Sequence, residues 1–200
     1  MKFILRAIIF ILIFCSFTYG QNLEIREGTK LIYSVNTQDE NYEFIVQILQ
    51  MEPDRIFAYS MTNSTQTTGK VSIKKKAIES AKKQINYFSG GNLVLDDAST
   101  IWLSKQNFHD LLTFGSTELV YDDGYKSILS SSGESIFPVK IGESIYDIPV
   151  FIAGERVTNA DNLPFKKSYL LLNDRSNPLI ISMDLGWKVK LKEIIPPYEY

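Results

Sequence analysis

The chain of 200 residues is predicted to form a mainly β (α+β) domain, in which a single antiparallel, curved sheet or half-barrel carries one long and one short helix. Its 44% hydrophobic and 12% aromatic residues can fill the core of one domain. The clearest strand pattern lies within residues 165–194, where Trp187, Val189 and Leu191 alternate with three lysines. Since successive strand side chains face opposite sides of a sheet, this alternation predicts one core face and one solvent face.

Three strands are predicted in the first part of the chain, at residues 29–36, 42–51 and 56–62. Apolar residues recur at every second position, and the sequence Glu-Pro-Asp marks a turn before the third strand. The second strand also carries Ile45 and Leu49 on its opposite face. We therefore expect both faces of the sheet to be covered at this strand.

The long helix is predicted at residues 74–88, where five apolar residues recur at three- and four-residue steps from Ala77 to Phe88. A glycine pair follows it and can end a helix. The short helix is predicted at residues 105–112, with Ser104 as its N-cap.

The remaining strands are separated by turn sequences such as Asp-Asp-Gly and by a serine-rich stretch at residues 130–133. They are predicted at residues 92–95, 100–104, 118–121, 125–129, 136–141, 145–152, 168–172, 179–183 and from Trp187 onward, with a loop at 158–163. Two prolines stop the last strand. The predicted domain therefore spans residues 21–195, and residues 196–200 form a C-terminal tail.

The first twenty residues predict export. Two basic residues precede an apolar run at residues 8–17, and Thr18 and Gly20 place small residues at positions −3 and −1 of a cut before Gln21. This pattern of a secretory signal peptide at residues 1–20 predicts a periplasmic or secreted protein. One alternative is a lipoprotein anchored through an acylated Cys15, which the bulky Phe14 before it disfavours. The other is an uncleaved anchor, for which the apolar run is short.

Charge and motifs exclude several classes of partner. The formal net charge of −2 offers no basic excess for nucleic acid. Neither G-x-G-x-x-G nor G-x-x-x-x-G-K-[ST] occurs, so no nucleotide partner is predicted. Cys15 and His109 are the only cysteine and the only histidine, which leaves few ligands for a zinc site. We therefore predict no metal and no cofactor.

No catalytic residue is predicted. His109 precedes Asp110 directly, but adjacent helical residues do not face each other, and no G-x-S-x-G elbow supplies a serine. The carboxylates at positions 96–97 and 122–123 lie among turn residues, where aspartate bonds its own backbone, and the calcium-loop pattern D-x-[DN]-x-[DN]-G is absent. Glycosidase carboxylates follow no spacing rule, so that class of hydrolase stays open.

The terminal pattern LLLNDRSNPLIISMDLGWKVKLKEI resembles uncharacterised exported proteins of Bacteroidetes-type bacteria. More loosely, the chain resembles periplasmic domains of unknown function whose sheets curl into a half-barrel, as lipoprotein carriers do. The resemblance covers residues 25–195 in outline and implies an exported, curved-sheet protein. It defines no functional residues that could be transferred to this sequence.

The sequence favours a non-catalytic envelope protein, whose curved sheet binds a lipid or other apolar or amphiphilic ligand, or which docks on another envelope protein. The residues at 42–51, 56–61 and 169–183 offer more apolar strand surface than two helices can cover, which is the basis for a ligand. Trp102 and Trp187 fit either the core or a ligand site, and the core is the commoner place for such residues. The alternative is an envelope hydrolase that uses turn carboxylates such as Asp97 or Asp123.

Overall fold

The computed structural model describes residues 23–155 and 167–197. The predicted signal peptide at residues 1–20, Cys15 and the predicted loop at 158–163 lie outside the described residues. Within those residues the protein is mainly β and forms one large curved sheet with two helices, as expected. In the same part of the chain, no helix combines the length and the apolarity needed to cross a membrane.

Thirteen strands are found in the described residues. In chain order they are β1 Lys30–Asn36, β2 Asn41–Gln50, β3 Arg55–Met61, β4 Thr68–Ile73, β5 Lys83–Gln84, β6 Gly91–Leu95, β7 Ala98–Ser99, β8 Ser116–Tyr121, β9 Lys126–Ile141, β10 Ser144–Glu155, β11 Lys167–Leu172, β12 Ile180–Asp184 and β13 Lys188–Ile195. The two helices are α1, Lys75–Ser80, and α2, Lys105–Phe114.

The strands pair in the order β6-β4-β3-β2-β1-β13-β12-β11-β10-β9-β8-β5-β7. Most neighbours are antiparallel, but β6 lies parallel to β4, and β5 lies parallel to both β7 and β8. A further parallel pairing links the end of β13 to the end of β9. The predicted sheet is therefore mainly antiparallel, and its parallel pairings were missed because the sequence suggests pairing only between strands that follow each other along the chain.

The two outermost strands of the sheet are consecutive in the chain. Only Asp96 and Asp97 separate the end of β6 from the start of β7. Three Cα steps span at most about 11 Å, so the two ends of the sheet approach each other at this point. The sheet must therefore curve strongly, and its inner face encloses the core.

Two clusters of buried side chains fill the inner face. The larger one joins β1–β4 to β12 and β13, and its fully buried members include Leu31, Val46, Phe57 and Val71. The smaller one lies where α2 packs against β8–β11, around Phe108. The predicted alternation in β13 is confirmed, since Val189 and Leu191 are buried while the lysines between them are exposed.

Helix α2 begins where its sequence predicts and ends two residues later than predicted. The Ser104 side chain accepts a hydrogen bond from the Asn107 backbone N–H at 3.2 Å, which makes it the N-cap. Gly115 adopts φ 74° and forms a left-handed C-cap after Phe114. The helix is thus confirmed, and it extends two residues past the predicted end.

The prediction of a long helix at residues 74–88 was wrong, because α1 covers only Lys75–Ser80 and the chain then becomes extended. The residues after α1 find partners outside a helix: the Lys82 carbonyl accepts a bond from Val120 N–H at 2.9 Å, and Ile85 N–H bonds the Ser99 carbonyl at 2.8 Å. Apolar residues at helical spacing serve here as strand and loop contacts. Tertiary pairing outweighs a weak local helical preference.

Two other predicted boundaries were wrong. The serine-rich stretch at 130–133 is not a turn, since β9 runs through it and pairs with β10 along its length. The predicted strand at 100–104 reduces to a single bridge between Trp102 and Leu179. The backbone turns away at Ile101, whose φ of 50° is rarely adopted by a β-branched residue.

Candidate functional site

A cleft of about 1100 Å³ lies on the inner side of the sheet. Its walls come from β1–β3 on one side and β11–β13 on the other, together with residues 86–89 and the turn between β8 and β9. Half of its 28 lining residues are aromatic or aliphatic. The seven aromatic ones are Tyr33, Tyr42, Phe44, Tyr87, Phe88, Tyr121 and Trp187.

Part of this cleft was predicted from the apolar strands. Tyr42 and Phe44 of β2, Met61 of β3, and Ile180 and Met183 of β12 all line it, and each lies in one of the stretches that suggested a ligand. The long helix predicted at residues 74–88 could have packed across this face, but α1 ends at Ser80.

The segment of residues 85–90, here called the strap, connects β5 to β6 and so joins the two ends of the sheet. Near its C-terminal end, the Phe88 ring stacks on Phe44 with centroids 5.1 Å apart and contacts Tyr59 at 4.9 Å. The Gly90 N–H donates a hydrogen bond to the Tyr59 hydroxyl at 3.1 Å. These contacts fix this end of the strap to β2 and β3.

The other end of the strap is bound by Asp122, in the turn between β8 and β9. Its carboxylate accepts hydrogen bonds from Asn86 N–H at 3.0 Å and from Tyr87 N–H at 3.1 Å. Tyr87 itself is 75% exposed. The strap therefore forms one wall of the cleft and connects two distant parts of the sheet. Sequence reasoning missed the strap, because Ile85 and Phe88 fit the spacing of the predicted helix at residues 74–88.

At the floor of the cleft, Tyr33 is 2% exposed and its hydroxyl donates a hydrogen bond to the Ile180 carbonyl at 3.1 Å. Burial raises the pKa of Tyr33, so the phenol stays protonated and bonded. This contact joins β1 to β12 across the inner face. Tyr42, nearer the opening, also has a raised pKa, through partial burial and the nearby Glu40 and Tyr87.

A polar cluster surrounds Lys167 at another edge of the cleft. Its ammonium lies 4.2 Å from the ring centroid of Tyr121 and 3.8 Å from that of Tyr125, and 3.9 Å from Glu155 Oε2. Glu155 also accepts hydrogen bonds from the Tyr125 hydroxyl at 2.6 Å and from Ser127 Oγ at 2.9 Å. The sequence could not reveal this cluster, since its members come from four separate strands and one turn.

The predicted turn carboxylates differ in position. Asp122 and Asp123 line the cleft, whereas Asp96 and Asp97 are exposed outside it. Asp123 accepts a hydrogen bond from Tyr125 N–H at 2.9 Å, in the local turn pattern that was expected. Both of the predicted turn carboxylates that line the cleft, Asp122 and Asp123, therefore accept hydrogen bonds from backbone N–H groups.

His109 lies exposed on α2 and does not pair with its neighbour. Its Nε2 is 3.5 Å from Thr113 Oγ1, while Asp110 accepts a bond from Gln106 Nε2 at 2.8 Å. Across residues 23–155 and 167–197, no three His, Cys, Asp or Glu side chains come together as metal ligands would.

The two tryptophans have different environments. Trp102 is 1% exposed, donates a hydrogen bond from Nε1 to Asn177 Oδ1 at 2.7 Å, and packs 4.9 Å below the Arg55 guanidinium. Burial lowers the pKa of Arg55 to about 10. Trp187, by contrast, precedes β13, is only partly buried and lines the cleft. The core prediction is confirmed for Trp102, whereas Trp187 packs against the core with one side only.

Comparison with known proteins adds nothing to these observations, since no protein-family model matches the chain and no curated protein is significantly similar to it.

Proposed function

We propose that this protein is a non-catalytic, exported binding protein whose sheet forms a half-barrel and holds an apolar or amphiphilic molecule in the cleft. The observation that carries the proposal is the cleft itself: about 1100 Å³ of open volume lined by seven aromatic side chains. Ligand pockets typically have volumes of about 300–1,000 Å³ and mostly apolar walls.

The aromatic walls of the cleft favour an apolar ligand. Covering apolar surface contributes roughly 25 cal/mol for each Å² removed from water. A chain that covers about 300 Å² of such surface would therefore gain several kcal/mol before the costs of binding. Polar residues of the lining, such as Gln38 and Asn63, suit the polar end of an amphiphile.

The predicted export determines where this binding would take place. A signal peptide at residues 1–20 would deliver the protein to the periplasm or the outside of the cell, where lipids and other envelope proteins are its available partners. The resemblance to curved-sheet envelope proteins supports the same setting. Docking on a second envelope protein is part of the proposal, as the route by which a ligand would arrive or leave.

The rival function is a hydrolase, and the position of Asp122 and Asp123 at the cleft is the observation that keeps it in consideration. Replacing Asp123 by Asn leaves an acceptor for the Tyr125 N–H and removes the charge. A binding protein keeps its affinity for the uncharged dodecyl maltoside in Asp123→Asn, as in the outer-surface control Asp97→Asn. A hydrolase loses turnover in Asp123→Asn alone.

Native mass spectrometry of the protein purified from its own cell envelope tests the proposal. We expect a bound mass that organic extraction removes and that is identified as a lipid or another amphiphile. The same spectrum should show a chain lacking residues 1–20. A ligand-free mass for freshly purified protein, together with no uptake of added dodecyl maltoside, would overturn the proposed function.

A further inference from the structure

The charges around the cleft are unequal. Among residues 23–155 and 167–197, its lining includes four carboxylates, on Asp39, Glu40, Asp122 and Asp123, and one cationic side chain, Lys167. A ligand in the cleft therefore meets more negative than positive groups. This imbalance bears on the charge of the ligand's polar end. The inference drawn from it rests on the function proposed above.

The charge of Lys167 is already compensated. The Lys167 ammonium lies 3.9 Å from the Glu155 carboxylate and over the faces of two tyrosine rings. Its side chain is only 18% exposed. Tyrosine faces and a carboxylate are the partners that a buried ammonium needs, so Lys167 has little unbalanced charge left for an anionic ligand.

The four carboxylates lack such compensation. In the part of the chain that the structure describes, none of them forms a salt bridge with a lysine or arginine. Glu40 accepts a hydrogen bond from Ser64 N–H at 3.2 Å. Asp122 and Asp123, in the β8–β9 turn, accept hydrogen bonds from backbone N–H groups. Hydrogen bonds from neutral donors position these groups but leave their negative charges in place.

The turn between β1 and β2 holds its two carboxylates at the opening. Thr37 Oγ1 accepts hydrogen bonds from Asp39 N–H at 3.3 Å and Glu40 N–H at 3.0 Å, and donates to the Glu40 carbonyl at 2.9 Å. Next to this turn lie the rings of Tyr42 and Tyr87, which line the same cleft. Carboxylates beside aromatic faces form the usual environment for an organic cation.

We propose that the cleft selects amphiphiles whose polar end carries a positive charge, such as an alkylammonium group, over amphiphiles with an anionic end. The apolar chain lies against the aromatic walls, and the cation lies at the opening near Asp39, Glu40 and the two tyrosine rings. Attraction to these carboxylates and ring faces favours a cation, and Lys167, whose charge is already compensated, offers little attraction to an anionic end.

Three amphiphiles with the same twelve-carbon chain test this preference: dodecyltrimethylammonium, dodecyl maltoside and dodecanoate, each below its micelle concentration. Binding is followed by the fluorescence of Trp187, which lines the cleft, and by calorimetry. We expect the ammonium compound to bind roughly tenfold more tightly than dodecanoate, with the maltoside between them. The difference should narrow as salt is added.

The double variant Asp39→Asn/Glu40→Gln tests whether these two carboxylates cause the preference. Both replacements keep the side-chain size, and Gln retains an acceptor for Ser64 N–H, so the loss of charge is the main change. It should reduce the preference for the cation to about threefold or less, with maltoside binding unchanged. The matched variant Asp96→Asn/Asp97→Asn, which removes two charges outside the cleft, should keep the tenfold preference.

The outcomes separate the two proposals. Equal or tighter binding of dodecanoate, with the maltoside still bound, overturns the charge preference and leaves the binding function standing. The same preference in wild type and in Asp39→Asn/Glu40→Gln also overturns it, since the named carboxylates would then not be its source. Failure of all three compounds to bind overturns the binding function itself.

Discussion

At the scale of single residues, Trp102 and Trp187 show how burial separates structure from function in this protein. Trp102 is enclosed, bonded to Asn177 and covered by Arg55. Trp187 packs against the core on one side and faces the cleft on the other. The first ring contributes to stability alone, whereas the second can contribute to stability and to binding.

We therefore predict different costs for the two alanine substitutions. Trp102→Ala should lower the free energy of unfolding by about 3–5 kcal/mol, as for other enclosed aromatic residues. Trp187→Ala should cost about 2 kcal/mol, because part of the ring surface already faces solvent. Urea denaturation of both variants measures these values. Equal costs, or a larger cost for Trp187, would contradict the assignment.

For ligand affinity, we predict the opposite order of effects: Trp187→Ala should have the larger effect and Trp102→Ala the smaller one. Trp187→Ala removes an aromatic wall of the cleft, so its affinity for dodecyl maltoside should fall, while folded Trp102→Ala should bind as the wild type does.

Sequence alternation correctly put Trp187 on the same side as Val189 and Leu191. It could not show that the strand begins one residue later, or that the inner face at this point borders open volume.

At the scale of elements, the start of α1 depends on a residue from outside the helix. Asp54, in the turn before β3, accepts a hydrogen bond from Lys75 N–H at 2.9 Å and from the Lys74 ammonium at 3.0 Å. Ser80 is the last helical residue, and Lys74 provides no side-chain cap. With six residues, α1 is too short to be stable alone, so this tertiary cap supports it.

This cap predicts a pH dependence. The hydrogen bond from Lys75 N–H, followed by the interaction with Lys74, lowers the pKa of Asp54 in the folded protein. A lowered folded pKa means that the stabilisation is present above the unfolded pKa of about 4 and is lost as the pH falls through the folded value. Asp54→Asn should therefore lower the melting temperature at pH 7 and have little effect at about pH 2.

Thermal melts of wild type, Asp54→Asn and the exposed control Asp97→Asn across this pH range check the prediction. The control should show no comparable change with pH. A melting-temperature difference for Asp54→Asn that stays constant down to pH 2 would mean that the ionised carboxylate is not what stabilises α1.

The same region explains why local pattern failed for the long helix. Ala81, Ile85 and Phe88 fit helical spacing, but each has a more specific partner in the fold: the Ala81 carbonyl accepts a bond from Asn107, Ile85 pairs with Ser99, and Phe88 stacks on Phe44. None of these partners lies within the helical segment. A spacing rule counts apolar residues along the chain and has no means of weighing such long-range contacts.

At the scale of the whole molecule, the alternating strands and a curved sheet were predictable from the sequence, whereas the pairings between strands distant in the chain were not. Strands β1–β3 and β11–β13 follow from residues that alternate along the chain, and their turns from Pro, Gly and Asp. The parallel pairing of β6 with β4, and of β5 with β8, joins strands that are not consecutive. These pairings bring the ends of the sheet together and create the cleft, so its full lining could not be read from sequence.

The measurement that tests the central claim most directly compares two apolar-to-arginine substitutions. Met183→Arg places a charge in the wall of the cleft, whereas Ile136→Arg places one at a position of β9 that is 67% exposed and does not line the cleft. Circular dichroism first establishes that both variants are folded, and calorimetry then measures their binding of dodecyl maltoside. We predict that affinity falls at least tenfold, or about 1.4 kcal/mol, in Met183→Arg and stays at the wild-type value in Ile136→Arg. Wild-type affinity in a folded Met183→Arg variant, or an equal loss in both, would contradict the claim that this cleft is the binding site.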